Sequence, residues 1–332
     1  MFTLKQYNLQ MKIISWGIIG CGDVTEVKSG PAFNLVPHSK LVAVMRRDGG
    51  KAEDYAKRHH VIKWYSDADD LINDPEVNAV YIATPPAYHE AYTLQAFNAG
   101  KSVYVEKPMA LDSEGAKRMG EAAERSSCKL CVAHYRRAQA RFIKIRQLIK
   151  DNAIGDILSV DLQFHQTYQP GTESTWRTNP AISGGGLFHD LAPHQLDLML
   201  YFFGKPIEIN GTSFKRANLY QADDYISAEI LFANNIRFTG IWDFNARSKD
   251  EIDICEINGT HGTIRFAVFL NFCETIINGQ PRQLEFDHLP HVQAPLIQQV
   301  VQYFLEKAEN PCSAEDGVEV MRMIDKITGK GN

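Results

Sequence analysis

The sequence lacks several features, and each absence narrows what it can be. No run of 18 apolar residues occurs, which removes an ordinary membrane-spanning helix. No long basic stretch occurs either, and the formal charge is −5. Neither nucleic acid nor an anionic membrane surface is therefore expected as a partner. The opening "MFTLKQYNLQ" has no basic start and no apolar core, the marks of a secretory leader. Residues 1–10 read as a short extension before a second methionine, Met11, and a cytoplasmic location is expected. Cysteines are few, at 21, 128, 131, 255, 273 and 312. In a reducing compartment they are free thiols. "CKLC" at 128–131 has redox spacing, but no second pair accompanies it and it opens an apolar, strand-like run. Buried structural thiols are the expectation there. Internal repeats, low-complexity tracts and charge blocks are missing as well.

A chain of 332 residues is too long for one ordinary core, so two domains are expected, 11–135 and 136–330. In the first, "IISWGIIG", "KLVAVMR", "AVYIAT", "KSVYVEK" and "KLCVAHY" are short and apolar on both faces, as strands buried between helices are. Helical patterns lie between them: "GGKAEDYAKRHH", "PAYHEAYTLQAFNAG" and "DSEGAKRMGEAAERSS". Gly100 is a stop signal and Asp112 a start signal. The alternation predicts a doubly wound parallel sheet with right-handed crossovers. After the amphipathic "AQARFIKIRQLIKDN" the texture changes to longer alternating runs: "ILSVDLQFHQT", "YISAEILFANNIRFTGIWDF" and "EIDICEINGTHGTIRFAVF". Asn234-Asn235 and "NGTHG" at 258–262 are turns between strands. This half is expected to be an α/β unit with a large, mostly antiparallel sheet and helices on one face. Two helices close the chain, the second with Ser313 and Asp316 in a capping-box arrangement.

Three places carry chemistry. "GIIGCGDVTE" follows the first strand. Gly20 permits a tight turn and Gly22 close approach of a phosphate. The helix start at Asp23 and Val24 offers free N–H groups to a pyrophosphate. The third fingerprint glycine is replaced by Thr25, which predicts looser helix packing, and Gly30-Pro31 should interrupt the helix. The second strand ends in "VMRRD", where Arg46 and Arg47 suit the 2′-phosphate of NADP better than a neutral ribose diol. In the NAD alternative, Asp48 contacts the ribose. "VYVEKPMA" places Glu106, Lys107 and Pro108 at a strand's carboxyl end, where open α/β sheets bind ligands. Lys107 can donate to a substrate hydroxyl, or help take its proton if burial lowers its pKa. Finally, "SGGGLFHDLAPHQLD" puts Asp190 and His194 on one helix face, after a run of glycines.

Together, "GIIGCGDVT", "YIATPPAYH", "VEKPMA" and "GGGLFHDLAPHQLD" resemble the glucose–fructose oxidoreductase/inositol dehydrogenase/MocA family, in order and spacing, from Met11 onward. The resemblance implies a Rossmann domain followed by an α/β domain. It implies hydride transfer between NAD(P) and a sugar, cyclitol or related polyol, without a metal. It also implies homodimers or homotetramers packed through the C-terminal sheet. Carried over, Lys107, Asp190 and His194 are the catalytic set. Gly20, Gly22, Thr84, Pro85, His89 and Glu106 are cofactor-side positions, and Trp176 and Arg177 line the substrate pocket. Ala192 departs from the glycine common there. The double arginine departs from the acidic residue of NAD-preferring members. On this basis Gly184 to Gly186 are expected to let backbone pass beside the nicotinamide. His194, ordinarily near pKa ~6.5, is expected to exchange the hydroxyl proton while Lys107 polarises the oxygen. Asp190 orients one of them or grips a neighbouring hydroxyl. Asp197 is expected to support the imidazole from behind, and His189 to be structural. A glycoside hydrolase holding NAD, and a non-catalytic dinucleotide sensor, are the alternatives.

Overall fold

The computed structural model describes residues 12–330. The extension expected over residues 1–10 lies outside the described residues. The first unit runs β1 (Ile14–Ile19), α1 (Asp23–Val27), α2 (Ala32–Leu35), β2 (Ser39–Met45), α3 (Gly49–Arg58), β3 (Lys63–Tyr65), α4 (Ala68–Ile72), β4 (Ala79–Ile82), α5 (His89–Asn98), β5 (Ser102–Val105), α6 (Ser113–Arg125) and β6 (Leu130–Val132). Its strands form one parallel sheet in the order β3-β2-β1-β4-β5-β6. The order reverses direction between β1 and β4, and a crevice opens there at the strands' carboxyl ends. Trp16, Ile18 and Ile19 of β1 are fully buried, as a strand covered on both faces requires. The expected signals operate: Asp112 accepts from Gly115 N at 2.8 Å to start α6, and Gly100, at φ +71°, follows the end of α5. Two elements escape the sequence patterns. β3 is three residues long at a sheet edge, and α4 is five residues long, both too short for a readable period.

The second unit runs α7 (Ala140–Lys150), β7 (Ile157–His165), α8 (Pro180–Ser183), α9 (Leu187–Phe203), β8 (Glu208–Phe214), β9 (Tyr225–Leu231), β10 (Arg237–Asp243), β11 (Ile252–Gly259), β12 (Gly262–Phe266), β13 (Cys273–Ile277), β14 (Gln280–Gln283), α10 (Ala294–Phe304) and α11 (Ala314–Ile327). Its sheet has the order β14-β13-β12-β11-β7-β10-β9-β8. Only the β7–β10 pair is parallel; the other neighbours are antiparallel. Along β7, Val160, Leu162 and Phe164 turn inward while Asp161 and Gln163 face solvent, a period of two. Asn234 and Asn235 both take left-handed φ, near +58°, which closes the β9–β10 hairpin.

α9 is seated on the inner face of this sheet. Phe188 meets Trp242 edge-on at 5.0 Å, and Trp242 Nε1 donates to Gln195 Oε1 at 2.7 Å in the buried core. α11 then packs against both α6 and α9, so the last helix ties the units together. Its start has the expected reciprocal cap between Ser313 and Asp316. Arg137 reinforces the joint. It donates Nε to Asp197 of α9 at 2.9 and 3.0 Å and Nη1 to Asp316 of α11 at 2.9 Å. Removing one partner of such a buried network typically costs about 3–5 kcal/mol, because a charge is left uncompensated.

Candidate active site

The carboxyl ends of β1, β2, β4 and β5 open onto a cleft of about 910 Å³ whose far wall is α9. The turn after β1 shapes one end. Gly20 has φ +94°, and a Cβ there would lie 2.9 Å from the Ala83–Thr84 backbone, so the position excludes other residues. Gly22 is different. A Cβ there would meet only Gly20 O, at 3.9 Å, so its bareness serves no packing inside the protein and leaves room on the cleft side. Thr25 stands where a third glycine is usual. It is fully buried, donates Oγ1 to Gly22 O at 2.8 Å and receives Tyr55 Oη–H on its carbonyl at 2.9 Å. Packing is therefore tight rather than loosened. α1 does stop at Val27, and a Cβ on Gly30 would lie 2.2 Å from Thr25 O and Tyr55 Oη.

At the end of β2, Arg46 donates Nη1 to Cys21 O at 3.3 Å, and the Arg47 guanidinium lies over the Tyr88 ring at 5.1 Å. Both line the cleft. Asp48 lines it too, but its carboxylate caps α3 by accepting from Lys51 N at 3.2 Å, which holds its pKa below the ordinary value. Asp23, Val24, Thr84 and Pro85 also line the cleft.

At the other end, Lys107 projects from the turn after β5 and meets Asp190 in the first turn of α9. Nζ donates to Asp190 Oδ1 and to Asp190 O, both at 2.8 Å. Arg177 Nε donates to the second carboxylate oxygen at 3.1 Å and stacks on Trp176, centroid distance 4.8 Å. Burial opposes both charges of the Lys107–Asp190 pair. The mutual attraction more than offsets it, so the ammonium is held above and the carboxyl below its ordinary range. Of the two roles left open for Lys107, the condition for proton acceptance is therefore not met: the neighbouring carboxylates keep it a cation. Glu106 is buried behind it. One oxygen accepts from Tyr81 Oη at 2.5 Å and Gln293 Nε2 at 2.6 Å, the other from Lys107 N at 3.2 Å.

His194 lies one helical turn beyond Asp190 and shares its face. The residue is 5% exposed, and its buried Nδ1 has no hydrogen-bond partner among the described residues. Tyr135 and Phe269 hold it edge-on, at 5.1 and 5.6 Å. Burial first, then the charges of Lys107 and Arg136, push its pKa well below the ordinary imidazole value. The imidazole is thereby held in its neutral form, which leaves one ring nitrogen able to accept a hydrogen bond.

Three further expectations are corrected. Asp197 does not stand behind His194. It is committed to Arg137, and the two aromatic rings orient the imidazole instead. His89 does not reach the cleft. It is fully buried, with Nδ1 2.9 Å from Pro108 O and Nε2 2.7 Å from Thr84 O, and so clamps the two loops that do line it. The glycine run does not clear space for a ligand. A Cβ on Gly184 would lie 2.8 Å from Leu111 O, one on Gly185 2.1 Å from the His189 ring, and one on Gly186 2.3 Å from Ala222 Cβ. The run wraps His189 on the side of α9 away from Asp190 and His194. Those three residues consequently do not converge on one point. Sequence reasoning also passed over Tyr135, Arg136 and Phe269. The first two follow β6 directly, and the rule used for Lys107, that strand carboxyl ends face the ligand, would have found them. Nothing local marks Phe269.

The six cysteines are free and at least half-buried, and burial raises the Cys131 thiol. Among the described residues no helix is long and apolar enough to cross a membrane.

Comparison with known proteins adds to this geometry. Residues 14–134 match the oxidoreductase family with an NAD-binding Rossmann fold, and residues 142–265 match the GFO/IDH/MocA C-terminal domain. The chain is 46% identical to oxidoreductase P35 of Formosa agariphila over 95% of its own length and 98% of that protein's. It is 24% identical to the scyllo-inositol 2-dehydrogenase (NADP(+)) IolW of Bacillus subtilis, over 98% and 96% of the two chains. Its fold matches the aldose-aldose oxidoreductase of Caulobacter crescentus complexed with glycerol, with a TM-score of 0.84 at 23% identity, over 95% and 96% of the chains. A Rossmann sheet in this strand order, an antiparallel sheet behind it and both family matches in sequence lead to one conclusion: the chain belongs to the Gfo/Idh/MocA family of oxidoreductases.

Proposed function

We propose that the cleft is the active site of a dehydrogenase or reductase acting on a CH–OH group of a sugar, cyclitol or related polyol, with NADP as the preferred cofactor. The observation that carries this reading is the meeting of Lys107 from the parallel unit with Asp190 and His194 of α9, at the end of the cleft away from Arg46 and Arg47. The glycine turn fits a dinucleotide, since Gly22 leaves its missing side chain's space on the cleft side. The bound nicotinamide supplies the acceptor or donor of hydride. Every other task falls to the protein. Lys107, held cationic by Asp190, donates a hydrogen bond to the reacting oxygen and stabilises negative charge developing on it. His194 accepts the hydroxyl proton in oxidation and returns it in reduction. Asp190 positions Lys107, and Trp176 and Arg177 close the substrate side.

NADP is favoured because Arg46 and Arg47 offer guanidinium donors at the end of β2 while Asp48 is spent on capping α3. The Bacillus subtilis relative is itself named for NADP(+). We take residues 11–135 as the cofactor unit and 136–330 as the substrate unit. The outer face of the second sheet, where half-buried Ile241 and Ile254 flank Gln163, supports assembly into dimers or tetramers. The free thiols suit a cytoplasmic setting.

The test is direct. Purified protein incubated with NADP+ or NAD+ and a panel of aldoses, inositols and sugar acids should produce reduced nicotinamide, faster with NADP+. The reverse assay uses the keto-sugars. No absorbance change with any member in either direction would refute the reading.

A further inference from the structure

Arg136 follows β6 and lines the substrate end of the cleft. Its side chain is buried, with 7% of the residue exposed, yet among the described residues no carboxylate lies within ion-pair distance of it. Nη1 donates to Val268 O, while Nε has no acceptor. The guanidinium lies over Phe269 at 4.6 Å and beside Tyr135 at 5.4 Å. Asp253, whose charge reaches it, is taken up by the backbone N–H groups of Val268, Phe269 and Leu270 at 3.0, 2.6 and 3.0 Å.

The neighbouring Arg141 shows what a purely structural arginine looks like here. It braces the same loop but reaches three carbonyls, those of Leu270, Phe272 and Val268. Arg136 reaches one. The other cations at this end are paired or solvated, Lys28 lining the cleft with its side chain exposed. Lys107 and Arg177 share Asp190, and Glu106 is held by Tyr81 and Gln293. Arg136 is therefore a surplus cation, packed on the same two aromatic rings as His194. Burial without a counter-ion works against its charge. A carboxylate arriving with the ligand removes that penalty, and a guanidinium fork matches a carboxylate in plane.

We propose that Arg136 receives a carboxylate of the substrate, so that the polyol turned over in this cleft is a sugar acid, a uronate or an aldonate. The proposal rests on the hydride-transfer reading of the same site. A carboxylate is favoured over a phosphate because one planar fork between two aromatic rings offers too few donors for a dianion.

The experiment compares matched pairs with NADP+ and NAD+: glucose with glucuronate, galactose with galacturonate, and each sugar with its 6-phosphate. The wild-type enzyme should favour the carboxylate over the neutral partner by about 10- to 100-fold in kcat/KM, the range of one charged hydrogen bond. Arg136→Met should bring that ratio near one without changing cofactor affinity, read by fluorescence titration. Arg136→Lys, which keeps the charge, should retain part of it and serves if the methionine variant does not fold. Neutral sugars or phosphates turned over as well as the acids, or a ratio unchanged in both variants, would overturn the role of Arg136 and leave hydride transfer standing. Failure of every pair while the wider panel turns over would likewise overturn the role of Arg136, and failure of the pairs and of the wider panel in both directions would instead bring down the hydride-transfer reading, and this inference with it.

Discussion

The two faces of α9 make an instructive contrast. One face carries Asp190 and His194 into the cleft, and the other carries His189 into the wrap of Gly184 to Gly186. His189 and His194 are both almost completely buried, and burial pushes the pKa of both far down, that of His189 to about 3. They are alike in charge state and differ in access. His194 lines an open cleft beside Lys107, while His189 faces glycine backbone. A buried neutral imidazole is thus not a catalytic signature. What distinguishes the working one is access: both ring nitrogens of His189 are sealed, though Lys330 stands near it, whereas only Nδ1 of His194 is sealed and its ring lines the main cleft with Lys107 and Asp190.

That contrast can be broken experimentally. The largest expected effect is on the cleft face. His194→Asn removes the proton acceptor and should lower kcat about 10²- to 10⁴-fold, while the thermal midpoint and cofactor affinity change little. A variant with undiminished turnover would mean that the two faces do not differ in function. The next effect belongs to the back face. Gly185→Ala drives a methyl into the His189 ring and should destabilise the fold by about 1–3 kcal/mol, read as a lowered denaturant midpoint. Adding His189→Ala should recover part of that loss, a coupling that a double-mutant cycle measures directly. No coupling would refute the packing role given to the glycine run.

The smallest effect, per group and per pH unit, is shared by both faces and by His134 beside them. His189, His134 and His194 all have folded-state pKa values below the unfolded ~6.5, with His134 and His189 at about 3. The unfolded chain therefore binds more protons than the folded one below pH ~6.5. Each imidazole's contribution is complete above that pH and is lost progressively as pH falls below it, down to about 3 for His134 and His189, at ~1.4 kcal/mol per pH unit. Denaturant midpoints measured from pH 7.5 to 5 should fall steadily below 6.5, and His189→Gln should flatten the slope. A flat profile in the wild type would show that these rings are not held neutral.

Much of the architecture is legible in residue order. Alternation of short apolar runs with helical periods dictates a parallel sheet, and period-two runs after residue 156 dictate an antiparallel one, because burial on two faces or one imposes those patterns. The trio proposed as catalytic is legible too, since a strand end, a helix spacing and a resemblance pointed to Lys107, Asp190 and His194. β3 and α4 were not, being too short for a period. Phe269 was not, because it lies in an irregular stretch between β12 and β13 and gains meaning only from the helix it faces.

What the sequence determined unaided is which side chains exist at which spacing, and hence which elements form: local periodicity and caps need no distant partner. What only the tertiary structure decided is who stands beside whom. Asp197 went to Arg137 rather than His194, Gly184 and Gly185 went to His189 rather than to a ligand, Lys107 stayed charged, and Arg136 was left without a carboxylate. Each outcome depends on distance and burial between segments far apart in the chain, and electrostatic energy varies with both.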